Sequence, residues 1–231
     1  MGRGKEVQGV FVTATDTGVG KTVVSSCLCY KALEQGKKVL YLKPVQTGSK
    51  AECPEDPVFV KKALESFKSG YFDAKAIYTF ELPASPHLAS KVEKKEISPK
   101  LLVKEVFKNL SENDFTVVEG AGGVMVPITE DYLMIDLIKE LNLPVVVVAR
   151  TKLGTINHTL LTLEALRLRE IKVLGVIFNL AEEPLSIVEE DSIAIIKKLA
   201  KLEVLGVLKK VKSLTPELPR FSSAIKLPLL S

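Results

Sequence analysis

The chain is poor in the residues that build crosslinks and metal cages: its 231 residues include three cysteines and two histidines. Cys27, Cys29 and Cys53 cannot all pair internally, and Cys27 and Cys29 stand two apart on an expected helix, pointing to different sides. A reducing cytoplasm is therefore the expected home. With His87 and His158 as the only imidazoles, a Cys/His zinc site lacks well-spaced ligands, and no zinc is expected. No apolar run approaches the roughly 20 residues of a membrane-spanning helix. Residues 1–6 hold no apolar signal region, and Glu6 stands where a myristoylation signal wants Ser or Thr, so no membrane attachment is expected. Charge of one sign is scarce too, since 32 basic and 28 acidic residues leave a net +4. That surplus suits small anionic ligands and makes no case for nucleic acid. The clusters Lys94-Lys95, Lys197-Lys198 and Lys209-Lys210 lack interleaved aromatics and are read as solvated surface. Tryptophan is absent, yet 46% hydrophobic and 26% charged residues are ordinary for a soluble globular enzyme and exclude general disorder. At this length the chain fits one α/β domain spanning residues 1–231, with a large core.

What is present begins at Ala14-Thr15-Asp16-Thr17-Gly18-Val19-Gly20-Lys21-Thr22. Val10 to Thr13 reads as a buried strand and Val23 to Leu33 as a helix, the strand–loop–helix setting of a phosphate-binding loop. In that setting the loop amides and the helix N-terminus point at phosphates. Lys21 then reaches the β- and γ-phosphates, and the Thr22 hydroxyl ligates Mg²⁺. The spacing G-x-x-x-x-G-K-[ST] is imperfect, because its first Gly falls on Thr15. This marks a variant loop without removing the cradle.

Five short apolar runs recur between amphipathic stretches: Val7–Val12, Val39–Leu42, Phe115–Val118, Pro144–Ala149 and Val173–Phe178. Strands alternating with helices imply a parallel sheet. Several of the runs lack polar alternation, as expected of strands covered on both faces, so the fold class is α/β with a doubly wound, mainly parallel sheet. A sixth strand is expected at Val204–Leu208, after a helix over Ser192–Leu202. Residues 44–114 form a long, proline-containing excursion with helical stretches near 58–68 and 99–110. Long connections of this kind are usually functional.

Ligands of open parallel sheets bind beyond the carboxyl ends of the strands. After the second strand comes Lys43-Pro44-Val45-Gln46-Thr47-Gly48-Ser49. Lys43 either joins Lys21 to stabilise charge on a transferring phosphoryl group or is a solvent-facing strand-end lysine. The third strand ends in Glu119-Gly120-Ala121-Gly122-Gly123. Its acid either ligates Mg²⁺ or a magnesium-bound water, or caps a following turn. After the fourth strand, Gly154-Thr155-Ile156-Asn157-His158 opens the helix Thr159–Leu166. Its free amides either bind an anion such as a substrate carboxylate or are capped by Thr155 and Asn157. Asn179, after the fifth strand, either reads a purine edge or is a turn residue.

Together these segments resemble the dethiobiotin synthetase family over nearly the whole chain. The resemblance is carried by Thr15-Asp16-Thr17 with Val19-Gly20-Lys21-Thr22, by Lys43-Pro44-Val45, by Ser85-Pro86-His87, by Val118-Glu119-Gly120-Ala121-Gly122-Gly123, and by Lys152-Leu153-Gly154 with Ile156-Asn157-His158. It implies a single-domain P-loop NTPase-type fold, a homodimer, and ring closure of 7,8-diaminononanoate with CO₂ and Mg-ATP to dethiobiotin, ADP and phosphate. It also implies residue roles. Lys43 and Lys21 are catalytic, and Thr22, Asp56 and Glu119 form the Mg²⁺ shell, with Glu55 a competitor to Asp56. Nucleotide contacts fall to Thr17, Gly18, Val19, Gly20, Lys21, Thr22, Val23, Gly120, Ala121 and Gly122, with Asn179 and Leu180 at adenine. Thr47 touches the diamine, whose tail carboxylate is bound by Gly154, Thr155, Ile156 and Asn157 of the partner subunit.

The chain departs from the family pattern at Ala14, where Gly is frequent, at Gly18, where some relatives carry Glu, and at Thr47, where Ser is common. Leu180 follows Asn179 where Asp is frequent, which leads us to expect relaxed nucleotide selectivity. Three rivals are less favoured by the residues. A partitioning ATPase needs an additional lysine early in the loop, where Thr15 and Asp16 stand. A ligand-sensing module would be favoured by loss of Lys21, Lys43 or Glu119, all of which are present. An amidoligase needs a glutaminase domain for which this chain has no room.

Overall fold

The computed structural model describes residues 9–67, 71–181 and 183–230. Seven strands form one sheet: β1 (Gly9–Ala14), β2 (Val39–Thr47), β3 (Phe72–Phe80), β4 (Phe115–Glu119), β5 (Val145–Arg150), β6 (Val173–Ala181) and β7 (Val204–Lys209). Their order is β3-β2-β4-β1-β5-β6-β7, and every pairing between neighbours is parallel. Among the described residues the α-helices are α1 (Lys21–Glu34), α2 (Glu55–Leu64), α3 (Pro86–Glu93), α4 (Pro99–Glu112), α5 (Met134–Leu141), α6 (Thr155–Leu168), α7 (Ile187–Ala200) and α8 (Leu218–Ala224).

The helices divide between the faces of the sheet. Val24 and Leu28 of α1, Val60 and Ala63 of α2 and Phe221 of α8 pack in one core with Val10, Val12, Tyr41 and Val117. Leu102 and Val106 of α4, Ile135 and Ile138 of α5, Leu163 of α6 and Ile196 of α7 pack in the other, against Phe11, Leu42, Val118 and Val147. Strand residues alternate between the two cores, and both sets are apolar because both faces are covered. This is the doubly wound α/β sheet expected from the sequence. The chain leaves β1 toward β2 on one side and, after β4, crosses to β5 on the other, so the winding reverses at β1 and the ligand crevice of such sheets lies at its carboxyl end.

Several expected elements shift. The first strand is described from Gly9, since residues 7 and 8 of the expected run lie outside the described residues, as does residue 68 of the helical stretch expected at 58–68, where α2 is Glu55–Leu64. The strand β2 runs five residues beyond Leu42, so Lys43 is inside it and Thr47 ends it. Likewise β6 continues through Asn179 and Leu180 to Ala181. The helix α6 begins at Thr155, four residues before the expected start, and α7 starts at Ile187, five before Ser192. The 44–114 excursion is not strandless: it contains β3, the sheet edge, whose half-exposed pattern and interspersed Asp73 and Lys75 mask its apolar face. Three helices, α3, α5 and α8, were also unanticipated.

Candidate active site

The loop from β1 to α1 turns through Gly18 and Gly20, at φ 68° and 90°. A side chain at Gly20 would meet the Asn179 amide at 1.9 Å, so the close approach of β6 to the loop requires glycine there. Gly20 is also the N-cap of α1 and offers no side-chain oxygen, which leaves the first amides of the helix free of a side-chain cap. A cavity of about 410 Å³ opens over this helix start. Thr17, Gly18, Gly20, Lys21, Thr22 and Val23 line it from the loop side, with Ala121 and Gly122 from beyond β4 and Thr47 from the end of β2.

Lys43 and Glu119 sit on its floor. Neighbouring strands β2 and β4 bring them together across 76 residues of sequence: the Lys43 ammonium donates to Glu119 Oε1 at 2.7 Å. It also pairs with Asp56 Oδ2 at 2.6 Å and donates to the Gly120 carbonyl at 3.2 Å, so its three protons each have an acceptor. Asp56 enters on the first turn of α2, and its amide is held by Gln46 Oε1 at 3.3 Å. Glu55 lines the cavity from the same turn, but Asp56 is the acid bonded to Lys43 and to Thr22. The Thr22 hydroxyl lies 3.1 Å from both Asp56 Oδ1 and Glu119 Oε1.

Lys21 is buried, and its ammonium donates to the Asp16 carbonyl at 3.2 Å. Burial, with the positive charge of Lys43 next in weight, pulls its pKa down to about 8. Burial also works to lower the pKa of Lys43, yet the Glu119 and Asp56 carboxylates prevail and raise it. Lys43 therefore stays cationic at neutral pH. The fully buried Tyr41 phenol is kept protonated by its burial and then by the charges of Glu119 and Asp56. Lys21 and Lys43 face Asp56, Glu119 and the wall carboxylate Glu55 in this cavity, so a polyphosphate entering it brings excess negative charge.

That surplus calls for a cation, and the donor set suits Mg²⁺. The Asp56 and Glu119 carboxylates already converge on one positive centre, the Lys43 ammonium, and the Thr22 hydroxyl bonds to both of them. Among the described residues no cluster of three or more His, Cys, Asp or Glu side chains forms a metal cage. A sparse oxygen set of this kind fits an ion that arrives with phosphate and keeps several waters.

Other expected site residues lie apart. The Gly154–Asn157 segment does not line the cavity over Lys21 and Lys43. Gly154, at φ 92°, is the N-cap of α6 without a side-chain cap, and the Thr155 hydroxyl donates to the Arg150 carbonyl rather than accepting from a helix amide. Thr155 also borders a separate cavity of about 210 Å³ with Thr15, Arg150, Lys152 and His158. Asn179 is buried under the loop, where its amide nitrogen donates to the Val19 carbonyl at 3.0 Å. Leu180 follows with a left-handed backbone, φ 60°, at an irregularity in the β6–β7 pairing. Sequence reasoning missed Ser25, whose hydroxyl donates to Glu119 Oε2 at 2.8 Å, and Arg150, whose guanidinium donates to the Thr17 carbonyl at 2.9 Å. A serine three residues after Thr22 on the same helix was a usable signal for the first. Arg150 had the signal of standing at a strand end.

Comparison with known proteins extends the picture. The family described as AAA domain matches residues 8–218. The ATP-dependent dethiobiotin synthetase BioD of Methanocaldococcus jannaschii is 43% identical over 205 residues, covering 87% of this chain and 93% of that protein. The enzyme of the same name from Methanococcus vannielii is 40% identical over 92% of this chain and 99% of its own length. Among solved structures, a ParA family ATPase from Chlorobium tepidum superposes with a TM-score of 0.59 over 95% of this chain and 91% of its own, at 14% identity. MinD in its complex with MinC from Aquifex aeolicus gives 0.58 over 93% of this chain and 84% of its own, at 16% identity. These structural likenesses establish a P-loop ATPase fold.

Proposed function

The chain belongs to the ATP-dependent dethiobiotin synthetase family, and from that premise we propose that it is a carbon–nitrogen ligase closing the ureido ring of dethiobiotin. Its substrates are 7,8-diaminononanoate, CO₂ and ATP. The observation that carries this reading is the second lysine: Lys43, buried beside the phosphate loop and kept cationic by Asp56 and Glu119. A water nucleophile is neutral, whereas a carbamate is an anion whose approach to an anionic phosphate a cation eases.

One neutral amine of the diamine attacks CO₂ and loses a proton, giving a carbamate. The carbamate oxygen then attacks the γ-phosphorus, and the bond to the bridging oxygen of ADP breaks. The second amine attacks the carbonyl of the resulting carbamic–phosphoric anhydride, phosphate departs with the C–O electron pair, and the ring closes with loss of a proton. Lys43 balances the carbamate and the equatorial phosphoryl oxygens, while Lys21 and the amides of Gly18 to Val23 hold the β- and γ-phosphates. Thr22, Asp56 and Glu119 would hold Mg²⁺, which supplies neutralisation of the phosphate charge. Gly120 to Gly122 bound the nucleotide opposite the loop, Thr47 contacts the diamine, and the Asn179–Leu180 end of β6 serves the adenine side. Holding both amines in one pocket makes the last attack intramolecular, where positioning contributes most.

The same reading makes the protein a single domain built on one sheet and a homodimer whose partner contributes Gly154 to Asn157 for the diamine carboxylate. The separation of that segment from the Lys21–Lys43 cavity supports a site completed by a second copy. So does the surface of α6 and α7, where a groove of about 670 Å³ is lined by Leu160, Leu161, Leu163, Leu199 and Leu202. We place the enzyme in the cytoplasm, where the unpaired Cys27 and Cys29 suit a reducing medium. No helix among the described residues is long and apolar enough to cross a membrane. Incubation with diaminononanoate, ¹³C-bicarbonate and Mg-ATP should yield dethiobiotin one mass unit heavy together with ADP. Hydrolysis of ATP without labelled product would return the ATPase-switch reading.

A further inference from the structure

We propose that Ser25 is a positioning residue that fixes Glu119 for the metal–nucleotide complex, while the adjacent Ser26 serves only the helix. This inference rests on Glu119 being an acid of the metal shell. The two hydroxyls are neighbours on one helix, and both are completely buried. They differ in what they hold. Ser26 donates to the Thr22 carbonyl one turn earlier at 2.7 Å, the usual outlet of a serine inside a helix. Ser25 gives its proton to Glu119 Oε2 at 2.8 Å, 94 residues away in sequence.

The geometry divides the carboxylate between two tasks. Glu119 Oε1 faces the cavity, where it meets Lys43 at 2.7 Å and Thr22 at 3.1 Å. Oε2 faces the body of α1. A terminal carboxylate turns easily about its last torsion, because that well is broad and two-fold. With one oxygen tied to Ser25, the other stays aimed into the cavity even when a nucleotide draws Lys43 and Thr22 away from it. Neighbours that orient metal-binding carboxylates in this way typically contribute about 10- to 100-fold to metal affinity.

The test measures Mn²⁺ binding in the presence of saturating ADP by the fall in free-Mn²⁺ paramagnetic resonance, and ADP binding in EDTA by calorimetry. Ser25→Ala should weaken Mn²⁺ about 10-fold while ADP affinity without metal is unchanged, and Ser26→Ala should match wild type in both. Ser25→Cys keeps the buried volume with a weak donor and should weaken Mn²⁺ in the same sense, so it carries the test if Ser25→Ala does not fold. A Ser25→Ala affinity within twofold of wild type, alongside a clear loss in Glu119→Gln, would overturn the role of Ser25 and leave that of Glu119 standing. No loss in Glu119→Gln would remove the premise itself. Equal losses in Ser25→Ala and Ser26→Ala would also overturn the proposal, since they would report a loosened helix.

Discussion

Lys21 should cost the empty enzyme stability. Its pKa falls from 10.5 to about 8, first through burial and then through Lys43. At 1.36 kcal/mol per unit, the buried ammonium disfavours the folded, nucleotide-free state by about 3 kcal/mol at neutral pH. Replacing it by Met keeps most of the apolar stem and removes the charge, but gives up the hydrogen bond to the Asp16 carbonyl, worth about 1 kcal/mol. Lys21→Met is therefore expected to be about 2 kcal/mol more stable than wild type at pH 7, or roughly 6 °C in Tm for a chain of this size.

The pH dependence fixes the cause. Below pH 8 the lysine is charged in both folded and unfolded chains, and the full cost is present. Between pH 8 and 10.5 the folded chain releases the proton while the unfolded chain keeps it, so wild-type stability climbs toward that of the variant. The difference between the two proteins cancels titrations they share. With Mg-ADP the order should reverse, because ligand that binds only the folded state stabilises wild type and the variant has lost its phosphate contact. Melting in EDTA at pH 7, 9 and 10.5, then with Mg-ADP, checks each step. A nucleotide-free Lys21→Met protein no more stable than wild type at pH 7 would refute the reasoning.

Lys43→Gln should abolish dethiobiotin formation and, by leaving Glu119 and Asp56 without their counter-ion, lower stability by about 3 kcal/mol; urea unfolding measures the second effect. The left-handed backbone at Leu180 strains a branched side chain, so Leu180→Asn should raise stability by about 1 kcal/mol in the same assay. Turnover of wild type with GTP and CTP should approach that with ATP, and Leu180→Asp should narrow the range; strict ATP preference in wild type contradicts this. Leu161→Glu, at 61% exposure on α6, should shift sedimentation toward a monomer and raise the KM for the diamine more than that for ATP.

The parts of the site that sequence made legible are those whose chemistry is local. Gly20, Lys21 and Thr22 follow one another, and the helix that presents them starts there because left-handed glycines turn the chain into it. Glu119 was legible as an acid between a buried strand and small residues. What lay beyond reach was pairing. Lys43 was read as a residue beyond its strand, yet β2 continues to Thr47, and it is the parallel register of β2 with β4 that carries Lys43 onto Glu119. No spacing along the chain encodes that meeting. The strand β3 escaped for a related reason: as a half-exposed edge strand it mixes Asp73 and Lys75 with Ala74, Ile77 and Tyr78, and only its pairing with β2 identifies it.

Asn179 shows how such a register decides what a polar side chain can do. Its residue type suits a base edge, one of the two readings that its place after the strand left open, the other being a turn. In the sheet it stands opposite Arg150, and both reach toward the phosphate loop, one to the Val19 carbonyl and the other to the Thr17 carbonyl. Strands β5 and β6 thereby hold the Thr17 and Val19 carbonyls, two residues apart, of a loop whose own glycines give it freedom to collapse. With those carbonyls held, the amides between them are free to face the phosphates. The cradle thus depends on residues about 130 and 160 positions downstream of the motif that announces it.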